Sequence, residues 1–314
     1  MLAKNKTRSN QDSAWKDILD VYFKEFMEFF YNEIAQKIDW KAGYEALDKE
    51  LQAITTESMI GKKFVDKLFK VKSLDGQEEI VLIHIEIQSQ KEEEFAQRLF
   101  HYYYRIYDNN GQSILTLAIL ADDQQNWHPK SYQKRVFGFA VLNFNFQACK
   151  LLDYQNEKEA LEKSNNPFAM VVLVHLAFLM TKKDSNARSQ MKFQLTRRLY
   201  EKGYKRDYVI NLLKVIDWVL VIPEYLELEY KSKVHELEGV KNMSYITSFE
   251  RLGREKGLQE GLQEGLQQGL HRGLQQGRQE GQLLLAKKML DKGIDLEFIK
   301  NITGFSEQEL IGLD

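Results

Sequence analysis

The stretch that most constrains this chain is residues 64–90, FVDKLFKVKSLDGQEEIVLIHIEIQSQ. Two β-prone apolar runs, 64–71 and 80–87, flank a connection at 73–79 that contains Asp75-Gly76. Asp-Gly between such runs signals a hairpin, because glycine takes the positive φ that tight turns need. Side chains alternate between the faces of a strand. Val81, Ile83, Ile85 and Ile87 therefore share one apolar face, and Leu82, His84, Glu86 and Gln88 share the other. A Glu and a Gln on one face of a strand otherwise built for burial call for a reason. Asp66 opens the partner run, so a hairpin can bring it towards Glu86. Two carboxylates and an amide oxygen form a hard, oxygen-rich set that suits a divalent cation. Spacing alone leaves the alternative open: a solvated strand edge, with Asp66 as a turn or cap residue.

Asp66, the strand, Glu86-x-Gln88 and the aromatic helix that follows resemble the recombination-promoting nuclease (Rpn) family of the PD-(D/E)XK nuclease superfamily. The likeness extends to Ile38-Asp39-Trp40, Leu47-Asp48-Lys49-Glu50-Leu51, Asn166-Pro167-Phe168-Ala169 and a Gly-rich tail. The superfamily pattern ends in Glu-x-Lys; Gln88 stands where the Lys falls, and a Glu-x-Gln version is usual in this family. The resemblance implies an α/β, restriction-endonuclease-like core with helical C-terminal additions and a long Gly-rich repeat helix. It also implies a metal-dependent DNA endonuclease that hydrolyses phosphodiester bonds. Asp66 and Glu86 are then the expected ligands of Mg²⁺ or another divalent cation, and Gln88 is a catalytic position. A helix expected over residues 40–56 lends a further acid, Glu50, with Glu57 as the other candidate. Gln88 can neither carry positive charge nor act as a base, so arginines such as Arg98 gain weight. The rival reading is a nuclease-derived DNA-binding or assembly protein that no longer cuts.

The 314 residues carry a formal charge of −2, so any surface for a polyanion is local. A single cysteine, Cys149, excludes an internal disulfide framework and fits a reducing cytoplasm. Its apolar neighbours suggest a buried structural thiol. Residues 1–14 are polar and read as a frayed end without a secretory signal. The longest apolar run, 168–180, carries His175 and falls short of the ~20 residues a spanning helix needs. It reads as a buried core helix in a cytoplasmic protein with no membrane partner.

Residues 15–36 repeat aromatic and aliphatic groups at helical spacing. In the helix expected over 95–108, Arg98, Tyr102 and Arg105 share one face. There the arginines either contact phosphate or pair with Glu92, Glu93, Glu94 and Asp108. The apolar run 113–121 suits a strand reached through a βαβ crossover, with Asp122 and Asp123 at its end, and 135–151 is expected to extend the sheet. Helices are expected at 156–163, 167–181, 186–202, 205–220 and 223–238. Residues 182–208 hold nine Lys or Arg against three Asp or Glu. Arg188, Arg197 and Arg198 are the DNA-binding candidates there, with a solvated helix face as the alternative.

From Gly253 to Gly281 glycine recurs at every fourth position, with Leu258, Leu262, Leu266, Leu270 and Leu274 at the same period. Each Gly costs a helix ~1 kcal/mol relative to Ala, so the repeat predicts a weak helix supported by self-association into a homo-oligomer, or else a flexible tether. Residues after 282 read as a helix-turn-helix-sized piece, closed by a last helix capped by Ser306. The expected division is 1–155, 156–245, 246–282 and 283–314.

Overall fold

The computed structural model of the chain describes residues 2–49, 51, 65–74, 81–241 and 246–305. At its centre stands the hairpin expected from the sequence. Strands β2 (Val65–Val71) and β3 (Val81–Gln88) pair antiparallel, with Asp66 in register with Glu86 and Leu68 with His84. The Asp75-Gly76 connection lies outside the described residues. Strand β1 (Tyr44–Ala46) adds to the outer side of β2. From β3 the chain crosses through the helix Phe95–Asn110 to β4 (Ser113–Leu120), which runs parallel to β3. Parallel neighbours require such a crossover. Strand β7 (Gln147–Lys150) then pairs parallel with β4, giving the order β1-β2-β3-β4-β7.

The alternation of β3 decides what covers each face. Phe69, Ile83, Ile85, Ile87, Leu117 and Ile119 are buried in one cluster with Leu19, Phe23 and Phe26 of the helix Leu2–Phe30. Phe23 stacks on Phe69 at 4.0 Å between ring centroids. On the opposite face, Leu68 and Leu82 meet Tyr102 and Ile106, while Ala118 and Leu120 meet Phe95 and Leu99. The polar side of β3 is therefore roofed by the helix Phe95–Asn110 and is not open to solvent.

Three expectations need correction. The first helix runs from Leu2 to Phe30, with non-helical φ/ψ at Tyr22, so it begins well before residue 15. Between 40 and 56, Gly43 at φ +77° turns the chain into β1, and helical residues resume only at Asp48. Residues 135–151 do not form one sheet extension. Ser131–Val136 (β5) and Phe139–Asn145 (β6) make a separate antiparallel pair, and only β7 joins the main sheet. The reason is a two-residue turn at Phe137-Gly138, both at positive φ, which folds the chain back on itself.

Helices Lys158–Lys163, Pro167–Met180, Ser185–Glu201, Arg206–Val219 and Glu224–Lys241 follow. Asn166 fixes the second of these: its side chain accepts from Phe168 N at 2.9 Å and donates to Glu25 O at 2.8 Å. Pro167 sits in the first turn, where its missing N–H costs nothing. Ile38-Asp39-Trp40 is a junction. Asp39 Oδ1 accepts from Lys41 N and Ala42 N, Asp39 N donates to Lys72 O, and Trp40 Nε1 donates to Ala35 O. The sheet and the five helices between 158 and 241 share the large cluster, and residues Met1–Phe249 form one compact unit.

The second unit is Glu250–Asp314. Most of it belongs to a continuous helix, Ile246–Asp291, followed by a turn at Gly293 (φ +70°) and the helix Leu296–Thr303. Asp295 caps the latter by accepting from Phe298 N, and Ala286 and Ile299 are buried between the two helices. Ser306 lies outside the described residues. No helix among the described residues is long and apolar enough to cross a membrane.

Candidate functional site

The polar row of β3 ends in a buried cluster. Glu86 is fully buried, Gln88 nearly so, and Arg98 of the roofing helix is 4% exposed. Arg98 Nη2 donates to Glu86 Oε1 and to Gln88 Oε1, each at 2.8 Å. Its Nη1 donates to Glu92, which enters from the loop between β3 and the helix. Gln88 Nε2 donates to Gln90 O at 2.6 Å and to Glu92 Oε2 at 3.2 Å. One planar guanidinium thus spans two carboxylates and an amide, a geometry that its fixed fork of donors allows and a lysine lacks. Burial pulls the Arg98 pKa down, but Glu86 and Glu92 more than offset this and leave it raised. The positive charge absent at Gln88 is supplied to the same oxygens from the next helix.

Asp66 is in register with Glu86 on the neighbouring antiparallel strand, and directly opposed residues belong to one face of a sheet. Glu86 and Gln88 thus lie on one face of β3, where Arg98 of the helix Phe95–Asn110 bonds to both, and Asp66 stands opposite Glu86 in the strand register. Of the other expected site residues, Glu50 and Glu57 lie outside the described residues. Arg105 is half-buried on the same helix as Arg98. Arg188 ties two segments of the helical layer together, donating to Thr181 O at 2.8 Å and Val221 O at 3.1 Å, and lies over the Phe178 ring. Burial lowers its pKa. Arg197 pairs with Glu201 one turn along its helix, and Arg198 pairs with Glu162.

Sequence reasoning missed two groups. Glu92 appeared only as one of several acids able to pair with the helix arginines. Lys150 was not singled out. It is buried at the end of β7, where its Nζ donates to both oxygens of Asp122 at 2.9 and 2.8 Å and to Trp127 O at 3.2 Å. Lys150 is in register with Leu120, and Leu120 with Gln88. This buried pair thus closes the carboxyl ends of the parallel strands, the edge at which open α/β sheets present ligand sites. The signal was Asp122-Asp123 at a strand end, without a way to foresee its partner. Cys149, beside it, is half-buried, and burial pushes its thiol up to about 11. That suits a structural thiol.

The fold and the cluster define a mixed α/β protein with a carboxylate–amide–arginine group beneath one helix, at the end of its central strand. Residues 12–119 match the family described as "Putative transposase, YhgA-like", and residues 279–314 match "Rpn/YhgA-like nuclease family, C-terminal HTH domain". The chain belongs to the Rpn/YhgA-like family. No curated protein and no solved structure matches it.

Proposed function

We propose that the chain is a metal-dependent DNA endonuclease. The observation that carries this reading is the register of Asp66 with Glu86, with Gln88 two residues further along the same strand. The donor set fits a hard cation: carboxylates and an amide oxygen, without sulfur or imidazole. Among the described residues no group of three or more His, Cys, Asp or Glu stands close enough to hold a metal. Asp66 and Glu86 would hold Mg²⁺ or another divalent cation, with Gln88 contributing its amide oxygen. Bound there, the cation would polarise the phosphate and lower the pKa of the attacking water. The protein's own groups do the positioning. Arg98 fixes the rotamers of Glu86 and Gln88 and brings charge to a buried place, and Gln88, which cannot take up a proton, is not the base. The helix Phe95–Asn110 keeps bulk water from Glu86 and Gln88. The helix-turn-helix match at 279–314 supports DNA as the partner, since such units present a helix to the major groove.

Plasmid nicking in Mg²⁺, Mn²⁺, Ca²⁺ and EDTA tests the proposal. Asp66→Ala and Glu86→Gln should abolish metal-dependent nicking while the thermal transition remains cooperative. Unchanged nicking in either folded variant sinks the assignment. A wild-type protein that binds duplex DNA but never nicks it leaves the rival, a DNA-binding protein of nuclease descent.

The repeat helix supports a second statement: this segment joins copies of the chain into a homo-oligomer. Leu262, Leu266, Leu270 and Leu274 are each 65–74% exposed along it. A row of leucines in water is a surface that gains by being covered.

A further inference from the structure

We propose that the β5–β6 hairpin is a DNA wedge, which inserts the Phe137 ring into the base stack while Lys134 and Arg135 hold the flanking phosphates. The proposal rests on DNA being the partner, as argued above, and is independent of whether the protein cuts it. Phe137 is 97% exposed and Phe139 74%, with Val136 and Val141 also open to solvent. Four large apolar groups at and beside the turn of one hairpin, all exposed, are not core material.

The backbone adds a second observation. Phe137 stands at φ +50° in a two-residue turn, a conformation that asparagine and glycine adopt readily and a bulky aromatic rarely does. Strain of this kind persists where the side chain is wanted in that place. The hairpin itself is firmly held, since Phe144 is buried and packs with Tyr132 against Phe100 and Tyr103. These two rings belong to the helix that carries Arg98, so the wedge is mounted on the element that roofs the candidate active site.

Charge selects the occupant. Residues 124–152 contain no Asp or Glu, in a chain whose total charge is −2. Lys130, Lys134 and Arg135 are exposed, and none is in an ion pair among the described residues; Arg135 donates to Gly138 O at 3.4 Å. A polyanion offers such a hairpin both phosphates for its cations and stacked bases for its ring. Two copies meeting tip to tip would instead oppose like charges. Apolar side chains driven between base steps are an established means of bending duplex DNA, and a two-stranded ribbon fits a groove.

The test uses the full chain in EDTA and a short duplex carrying 2-aminopurine, whose fluorescence rises when it is unstacked. Phe137→Asn is the informative variant, because Asn-Gly is the preferred sequence for this turn and keeps the hairpin folded. The wild type should raise the fluorescence. Phe137→Asn should lose that rise and bind about tenfold more weakly, the size of one lost stacking contact. Lys134→Ala with Arg135→Ala should reduce the slope of log K against log salt by about 2. The proposal is overturned if the wild type fails to bind or to unstack the duplex, or if Phe137→Asn binds and unstacks as the wild type does. A variant that keeps its DNA binding but loses self-association in light scattering would assign the hairpin to a second copy, which also overturns it. Because the assay contains no metal, its failure is separable from failure of the nuclease reading, which is measured by nicking in the Asp66 and Glu86 variants.

Discussion

Arg98 decides how the candidate site is held. It is the shared partner of Glu86, Gln88 and Glu92, and it is almost wholly buried. Arg98→Ala would leave Glu86 in the interior without this compensation, a loss that costs about 3–5 kcal/mol in comparable pairs. Arg98→Lys keeps the charge but not the fork, so it should unfold at an intermediate temperature and nick poorly. Thermal unfolding of both variants checks this; an unchanged transition in Arg98→Ala would show that the guanidinium holds nothing. Glu86 and Gln88 were legible in the sequence because they are polar on a strand built for burial. The place of Arg98 was not, since helical spacing says which residues share a face but not whether that face meets a sheet or water. The basic stretch 182–208 shows a related limit. Three of its cations are met by acids from distant segments, Lys182 by Asp123, Lys192 by Asp217 and Glu227, and Arg198 by Glu162. A charge count along the chain cannot see such partners.

Elements were legible where period and punctuation agreed. The alternation of β3, Asn166-Pro167 before the core helix, and the five later helices all appear in the fold, the helix ends within three residues of their expected places. The β5–β6 hairpin was hidden because its turn opens with Phe, which carries no turn signal. The core helix Pro167–Met180 makes an acid-side prediction. His175 is buried in it, and desolvation first, then the charges of Lys182 and Lys150, bring its pKa down to about 4. In the unfolded chain His titrates near 6.5, so between these values the unfolded state binds the extra proton. Stability therefore falls as pH drops from about 6.5 towards 4, by up to about 3 kcal/mol. Urea titrations across that window measure it. His175→Leu should remove this part of the acid sensitivity; an identical pH profile in the variant would show that another group is responsible.

At the scale of the whole molecule, two units are joined through the helix Ile246–Asp291, whose composition is unusual for its length. At Gly261, Gly265, Gly269 and Gly273 an added Cβ would meet nothing within 4 Å, so no contact among the described residues asks for glycine there. In a lone helix each Gly→Ala change is therefore expected to stabilise by ~1 kcal/mol. If a second helix lies against the repeat, the same methyl groups would hold the two backbones apart. Four helical residues advance ~400°, so the glycine row drifts ~40° per repeat and an associating pair would have to wind right-handed to keep it between them. The fourfold variant, with Ala at 261, 265, 269 and 273, should therefore show more helix by circular dichroism and a lower mass by light scattering. A chain ending at Phe249 should show the same lower mass and still nick DNA in a metal-dependent way, because the Asp66–Glu86 pair lies wholly within the first unit. More helix at an unchanged mass would make the repeat a spacer between the sheet unit and the helix-turn-helix. Its glycines would then serve to keep that spacer pliable, and the homo-oligomer would have to be abandoned.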